Sequence, residues 1–233
     1  MTVGPAACDL RGISRRFGGR WALRGVSMRV ESEEVIGILG HNGSGKSTLL
    51  RIISTALRPT LGSGTVYGAD LAKEAPTVRE SIGFLAHAAG NYDDLSAAEN
   101  LRFAAAMGGY DPSTIDAILE RVGLTHVAGE RARGFSAGMS RRLALGRLLL
   151  ARPRLLLLDE PYNNFDAAGI TLVNEVITET CQRGGAAIVV VHDRRQAEHL
   201  IDRDVVLARG AIVQQVLEES EPDDVDEVEA RSA

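Results

Sequence analysis

Hydrophobic spacing along the chain changes period twice. Near the N-terminus it is strand-like: Leu10–Phe17, Val26–Val30 and Val35–Leu39 read as strands, with Gly18-Gly19 as a turn between the first two. Val35–Leu39 is almost wholly apolar, as a strand covered on both faces must be. It runs straight into Gly40-His41-Asn42-Gly43-Ser44-Gly45-Lys46-Ser47-Thr48, after which a helix is expected to about Leu57, stopped by Arg58-Pro59. Gly62, Gly64 and Gly68 are expected to mark turns around a short strand. The middle of the chain is helical. Ser96 to Glu99 has capping-box spacing and opens a helix through Met107. Asp111-Pro112 starts a second helix that Gly123 stops, and a third runs from about Ala137 to Ala151. The period then alternates again: Leu155–Leu158 strand, Ala167–Gln182 helix, Ala186–Val191 strand, Arg194–Ile201 helix, and a closing hairpin of Val205–Leu207 and Ala211–Val216 around Gly210. Two α/β halves thus flank a helical insert at about 88–152, and the folded domain is expected to span 1–217.

Length and composition narrow this to a globular α/β chain. The 233 residues suit one domain with an inserted lobe, and 45% hydrophobic with 24% charged residues excludes a fibre, a wholly disordered chain and a small disulfide scaffold. The net charge of -5 argues against a nucleic-acid-coating role. Its sign comes from 218–233, where eight acidic residues face one Arg; the remainder has 25 basic and 23 acidic residues. This segment lacks aromatics and reads as a disordered tail. Two distant cysteines, Cys8 and Cys181, match no metal spacing and imply a reducing compartment. No run reaches the ~20 apolar residues of a membrane span, and the N-terminus lacks the pattern of a secretory signal. A membrane role would therefore be exerted through a partner.

The chemistry begins at residues 40–48. The spacing G-x-x-x-x-G-K-S lets backbone N–H groups curl inward onto phosphate oxygens. Gly40, Asn42, Gly43, Ser44, Gly45, Lys46, Ser47 and Thr48 are the candidate phosphate cradle, with Lys46 as a point charge and the Ser47 hydroxyl as a Mg²⁺ ligand. The following helix aims its positive end at the same anion. A second buried strand ends in Asp159-Glu160-Pro161, at the carboxyl edge where α/β sheets bind ligands. Asp159 is the candidate second Mg²⁺ residue and Glu160 the candidate general base for water.

Between these motifs Phe135-Ser136-Ala137-Gly138-Met139 resembles the L-S-G-G-Q signature of ABC-type ATPases, with Ala137 and Met139 departing from it. The family's other landmarks follow in order. Phe17 resembles the aromatic that stacks on adenine, Asn163-Asn164-Phe165-Asp166 the D-loop, and His192 the switch histidine that contacts the γ-phosphate. The resemblance covers about residues 8–216 and implies an ABC nucleotide-binding domain: an α/β P-loop fold with an N-terminal antiparallel β part and an inserted helical lobe. It implies binding and hydrolysis of ATP with Mg²⁺. It also implies a head-to-tail dimer, with itself or a homologous subunit, in which Ser136 and Gly138 of one chain meet the nucleotide of the other. At the position of the family's Q-loop glutamine stands His87, which either replaces that contact or simply occupies a loop. Arg141 and Arg142 read as a solvated helix face.

The stretch from Phe84 to Phe103, and Leu158–Tyr162 before the D-loop, look most like the ATPase subunit of the haem exporter of cytochrome c maturation. That resemblance implies a peripheral subunit on the cytoplasmic face of the inner membrane, paired with integral-membrane permease subunits and with no nucleic-acid partner. Drug, lipid and polysaccharide exporters share most of these features, and a soluble ABC ATPase of a cytoplasmic machine is the rival from another class.

Overall fold

The computed structural model describes residues 5–191, 196–197 and 199–217. A parallel-centred sheet carries the fold. Its strands are β3 (Val35–Leu39), β6 (Ile82–Leu85), β7 (Leu155–Asp159), β8 (Ala186–Val190), β9 (Arg203–Ala208) and β10 (Ala211–Leu217), in the order β10-β9-β3-β8-β7-β6. Only β10 runs antiparallel, turning back on β9. The antiparallel sheet orders β2 (Arg20–Val30), β1 (Cys8–Phe17), β4 (Leu61–Val66) and β5 (Ala69–Asp70).

The all-apolar strands divide their side chains between two cores, as a period of two requires. Leu155 and Leu157 of β7, with Ala186, Ile188 and Val190 of β8, face the antiparallel sheet and helix α1 (Lys46–Ile53). Leu156, Leu158, Ala187 and Val189 face the other way, toward α3 (Ala97–Gly108), α4 (Ile115–Arg121), α5 (Ala137–Ala151) and α6 (Ala167–Gln182). Each fully buried leucine contributes about 1.5–3 kcal/mol of transfer free energy, which is why both faces of β7 exclude polar residues. Among the described residues no helix is long and apolar enough to cross a membrane. Cys8 and Cys181 are both free thiols.

Several local expectations need correction. Helix α1 stops at Ile53, not near Leu57. Thr55 takes a left-handed φ of 60°, and the Leu57 N–H turns back to the Arg51 carbonyl, laying Leu57 against the core. Gly62 and Gly64 lie inside β4, not at its ends. They permit close approach: a Cβ on Gly62 would meet the Gly12 backbone at 2.5 Å, and one on Gly64 would meet the Leu10 side chain at 2.7 Å. Strand β2 begins at Arg20, six residues before the expected start at Val26, because the Gly18-Gly19 turn pairs Phe17 directly with Arg20. A short helix, α2 (Ala75–Ser81), and strand β6 were not anticipated; α2 buries only Val78 and so leaves no periodic trace. The second helix of the insert opens as a 3₁₀ turn, Pro112–Thr114, before α4. The helix expected over Arg194–Ile201 and the acidic tail fall wholly or partly outside the described residues.

Candidate active site

Sheet order gathers the chemistry. Strands β3, β8, β7 and β6 are parallel neighbours, so the segments leaving their carboxyl ends are adjacent. These are the P-loop after Leu39, Val191 after Val190, Asp159-Glu160 closing β7, and Ala86-His87 after Leu85. His192 itself lies outside the described residues, one position beyond Val191, whose N–H bonds the Ile38 carbonyl.

The P-loop is a tight arch. Gly40 has a φ of 147°, and a Cβ there would sit 2.2 Å from the Leu207 carbonyl oxygen, so only glycine fits. The opposite side rests on the β9–β10 turn, where the Gly210 N–H donates to the Ser44 carbonyl at 2.9 Å. Lys46 is buried, and its Nζ donates to the carbonyls of Gly40 (2.6 Å) and His41 (3.2 Å), which holds the ammonium under the arch. The buried Ser44 hydroxyl has no hydrogen-bond partner among the described residues. Helix α1 begins at Lys46 with no side-chain cap, which leaves its first-turn amides, including those of Ser47 and Thr48, for an anion. His41, Asn42, Gly43 and Ser44 line a cleft of about 1070 Å³ together with Phe17, Arg20, Trp21, Arg24 and the Arg209-Gly210 turn. Phe17 is 48% exposed at the end of β1, with the Arg15 guanidinium 4.7 Å from its ring centre.

The two carboxylates at the end of β7 differ in environment. Asp159 is buried at the strand end. Glu160 leaves the strand with a left-handed φ of 52°, unusual for a residue with a Cβ. Its N–H bonds the Val190 carbonyl at 3.1 Å, and its Oε2 accepts from Asn163 Nδ2 at 2.8 Å and faces His87 Nδ1 at 3.5 Å. The structure therefore brings His87 to Glu160 across two strands' ends. Ser47 and Asp159 supply a hydroxyl and a carboxylate, hard oxygen donors that suit Mg²⁺. The described residues hold no cluster of three or more His, Cys, Asp or Glu. A cation there would share its shell with phosphate oxygens and water, the usual arrangement for Mg²⁺.

The signature stands apart from this cleft. Ser136 is the N-cap of α5 and accepts from the Met139 N–H at 3.2 Å, and neither it nor Gly138 lines the P-loop cleft. Gly138 instead abuts the D-loop: a Cβ there would lie 3.0 Å from the Asn164 carbonyl oxygen. Asp166 caps α6 through the Gly169 N–H, and that bond holds its carboxyl below the usual range, with help from Arg142.

Arg141 and Arg142 are not a solvated face. Arg142 pairs with Asp166 at 2.7 Å and stacks over Phe165. Arg141 is 3% exposed and donates only to backbone carbonyls in the contacts it makes with Ala86, His87, Asp159, Glu160 and Pro161. Burial pulls its guanidinium below the usual range, and the nearby Asp159 and Glu160 charges push it back up. A charged residue that satisfies itself on carbonyls carries no signature in hydrophobic period, so the sequence conceals it.

Known proteins agree with this geometry. The ABC transporter family model matches residues 23–163. An uncharacterised ABC transporter ATP-binding protein of Bacillus subtilis, YdbJ, is 35% identical over 209 residues, covering 89% of this chain and 68% of that protein. The cytochrome c biogenesis ATP-binding export protein CcmA 2 of Cupriavidus metallidurans is 38% identical over 196 residues, covering 83% of this chain and 92% of that protein. Among solved structures, a dimeric post-hydrolysis ATP-binding cassette bound to ADP and Pi superposes with a TM-score of 0.82 at 23% identity, over 92% of this chain and all of that one. The chain belongs to the ABC transporter family, as one of its ATP-binding, ATP-hydrolysing domains.

Proposed function

We propose that this chain hydrolyses Mg²⁺-bound ATP as a head-to-tail dimer and thereby drives export through separate membrane subunits, in the haem-exporter branch of the family. The observation that carries the chemistry is the convergence of Lys46, Asp159, Glu160 and His87 at one edge of the sheet. Phe17 stacks the adenine, and the arch of 40–48 binds the β- and γ-phosphates through its N–H groups and Lys46. Ser47 and Asp159 would hold the Mg²⁺, which would supply neutralising charge to the phosphates. Glu160 takes a proton from water as the water oxygen bonds to the γ-phosphorus. The bond from that phosphorus to the bridging oxygen breaks, and ADP leaves with the electron pair. His87 orients Glu160 or the water, and His192 contacts the γ-phosphate. Ser136 and Gly138 meet the γ-phosphate of the opposing chain.

The haem branch is supported by the CcmA relative, matched over nearly all of its length, and by the Phe84–Phe103 stretch. Part of that stretch, starting where the 86–91 loop ends, is an exposed apolar strip. The Tyr92 ring meets Phe103 edge-on at 4.7 Å, and Met107 lies one helical turn further along α3, 74% exposed. Such a strip suits an apolar partner segment, and a membrane subunit docking there would act directly on the His87 loop.

Glu160→Gln tests the chemistry. It is expected to keep ATP binding and to cut turnover by about 10²-fold or more, the scale of a lost general base. Equal phosphate-release rates for the variant and the wild type would remove Glu160 from that role. Copurification of a haem-handling membrane complex with the tagged chain, and loss of mature c-type cytochromes on its deletion, tests the branch; unchanged cytochromes would point to another cargo.

A further inference from the structure

We infer that Arg141 is a positioning residue that sets the backbone of Glu160 and couples it to the signature helix and the His87 loop. The inference rests on the reading of Glu160 as the base. Arg141 lies in the second turn of α5, five residues after the N-cap Ser136. Its guanidinium spans two loops that no continuous element joins. Nη1 donates to Ala86 O (3.4 Å) and His87 O (3.1 Å). Nη2 donates to Asp159 O (3.0 Å) and to Glu160 O, while Nε reaches Pro161 O (3.4 Å). The rigid fork of arginine can hold both loops at once; the ammonium of lysine cannot.

The Glu160 carbonyl is where such a hold matters. A left-handed φ on a residue with a Cβ costs free energy and persists only where its surroundings over-determine it. The Arg141 bond to this carbonyl, with the Val190 bond to the Glu160 N–H, fixes the peptide planes on both sides of the carboxylate. The rest of the His87 loop is fastened to α5 by hydrogen bonds that do not involve β7. Arg147 donates to Gly90 O and Ala89 O, and Asn91 Nδ2 donates to Ser140 O at 2.9 Å. Movement of α5 therefore carries the whole 86–91 loop with it, and Arg141 is the contact that passes the movement to the β7 end.

The test uses the full chain with Mg²⁺ and ATP, comparing Arg141→Gln, Arg141→Lys and Arg147→Gln with wild type. Arg141→Gln is expected to lower kcat about tenfold or more while KM for ATP stays within about threefold, the pattern of a misplaced base over an intact nucleotide site. Arg141→Lys keeps the charge but loses the fork, and is expected to fall between; if Arg141→Gln does not fold, this variant decides. Arg147→Gln loosens only the 89–90 end of the loop and should lower kcat clearly less than Arg141→Gln does. Hydrogen exchange at amides 86–88 and at 159, 160, 162 and 163 should rise together in the Arg141 variants and nowhere else in the sheet. Wild-type kcat in the Arg141 variants, a matching loss in Arg147→Gln, or faster exchange across both sheets would overturn the inference in favour of a merely structural arginine. Glu160→Gln measured in parallel separates the two readings. A fully active Glu160→Gln beside a slow Arg141→Gln retires the base and leaves Arg141 setting another group of the β7 end. The reverse retires Arg141 alone.

Discussion

His87 faces Glu160 at 3.5 Å but is 73% exposed, so its contact with the carboxylate competes with water. An exposed pair of this kind contributes little to stability, and in the proposed mechanism its role is orientation. His87→Ala is expected to slow hydrolysis while nucleotide affinity stays nearly unchanged, and His87→Gln, which restores an amide donor, to recover much of the rate. Steady-state phosphate release with the membrane subunits present checks this; a wild-type rate for His87→Ala would make the residue an ordinary loop position. The P-loop, Asp159 and Glu160 are legible as candidates because phosphate chemistry dictates residue type at fixed spacing. Arg141 is not. A guanidinium buried on carbonyls has no partner whose identity the sequence could reveal, and an arginine pair on a helix reads as solvated until the loops that cover it are known.

Elements were legible where burial imposed a period and hidden where the backbone did the work. Strands β7 and β8 and helices α5 and α6 emerge from their apolar runs nearly at their observed limits, since both faces of the sheet are covered. Strand β4 emerges only as a short strand of unfixed limits, because Gly62 and Gly64 serve close packing on β1 but read as turn residues. The start of α3 shows a local code that survives intact. Ser96 Oγ accepts from the Glu99 N–H at 3.2 Å, and the Glu99 carboxylate accepts from the Ser96 N–H at 2.8 Å. Asn100 then ties the preceding loop through Tyr92, Leu95 and Ser96. Ser96→Ala removes the cap and is expected to cost about 1 kcal/mol, read as a lower denaturant midpoint. The Ser96 bonds also hold the Glu99 carboxyl below its usual range. A depressed pKa contributes stability above the unfolded value and loses it as pH falls through the folded one. The residue 96 N–H that is the main cause survives in Ser96→Ala, so it is the difference between wild type and Glu99→Gln that should narrow on acidification below about pH 4.3, the ordinary glutamate value. An unchanged midpoint for Ser96→Ala at neutral pH would mean that Asn100 and the Glu99 carboxylate secure the helix start without the hydroxyl.

At the scale of the whole molecule, the signature and the P-loop cleft are separate surfaces of one chain: Ser136 and Gly138 do not line the cleft that contains Asn42–Ser44. On the proposed reading, in which both motifs bind phosphate, their separation calls for a second chain at each nucleotide. Complementation tests it. Take one subunit with Lys46→Ala and another with Ser136→Arg, both carrying Glu160→Gln to slow hydrolysis. Each alone should fail to dimerise with ATP, because every site in its homodimer carries the lesion. In the mixed pair the defective P-loop of one faces the defective signature of the other, so both lesions fall in one site. The remaining site joins an intact P-loop to an intact signature. An ATP-dependent dimer should then return for the mixture on a sizing column, with stoichiometry one to one. Full turnover need not return, because the second site stays broken. If the Glu160→Gln chain with intact Lys46 and Ser136 dimerises while the mixture does not, both sites must close together. If neither dimerises with ATP, even beside the membrane subunits, the signature serves some other surface and the head-to-tail arrangement is wrong for this chain.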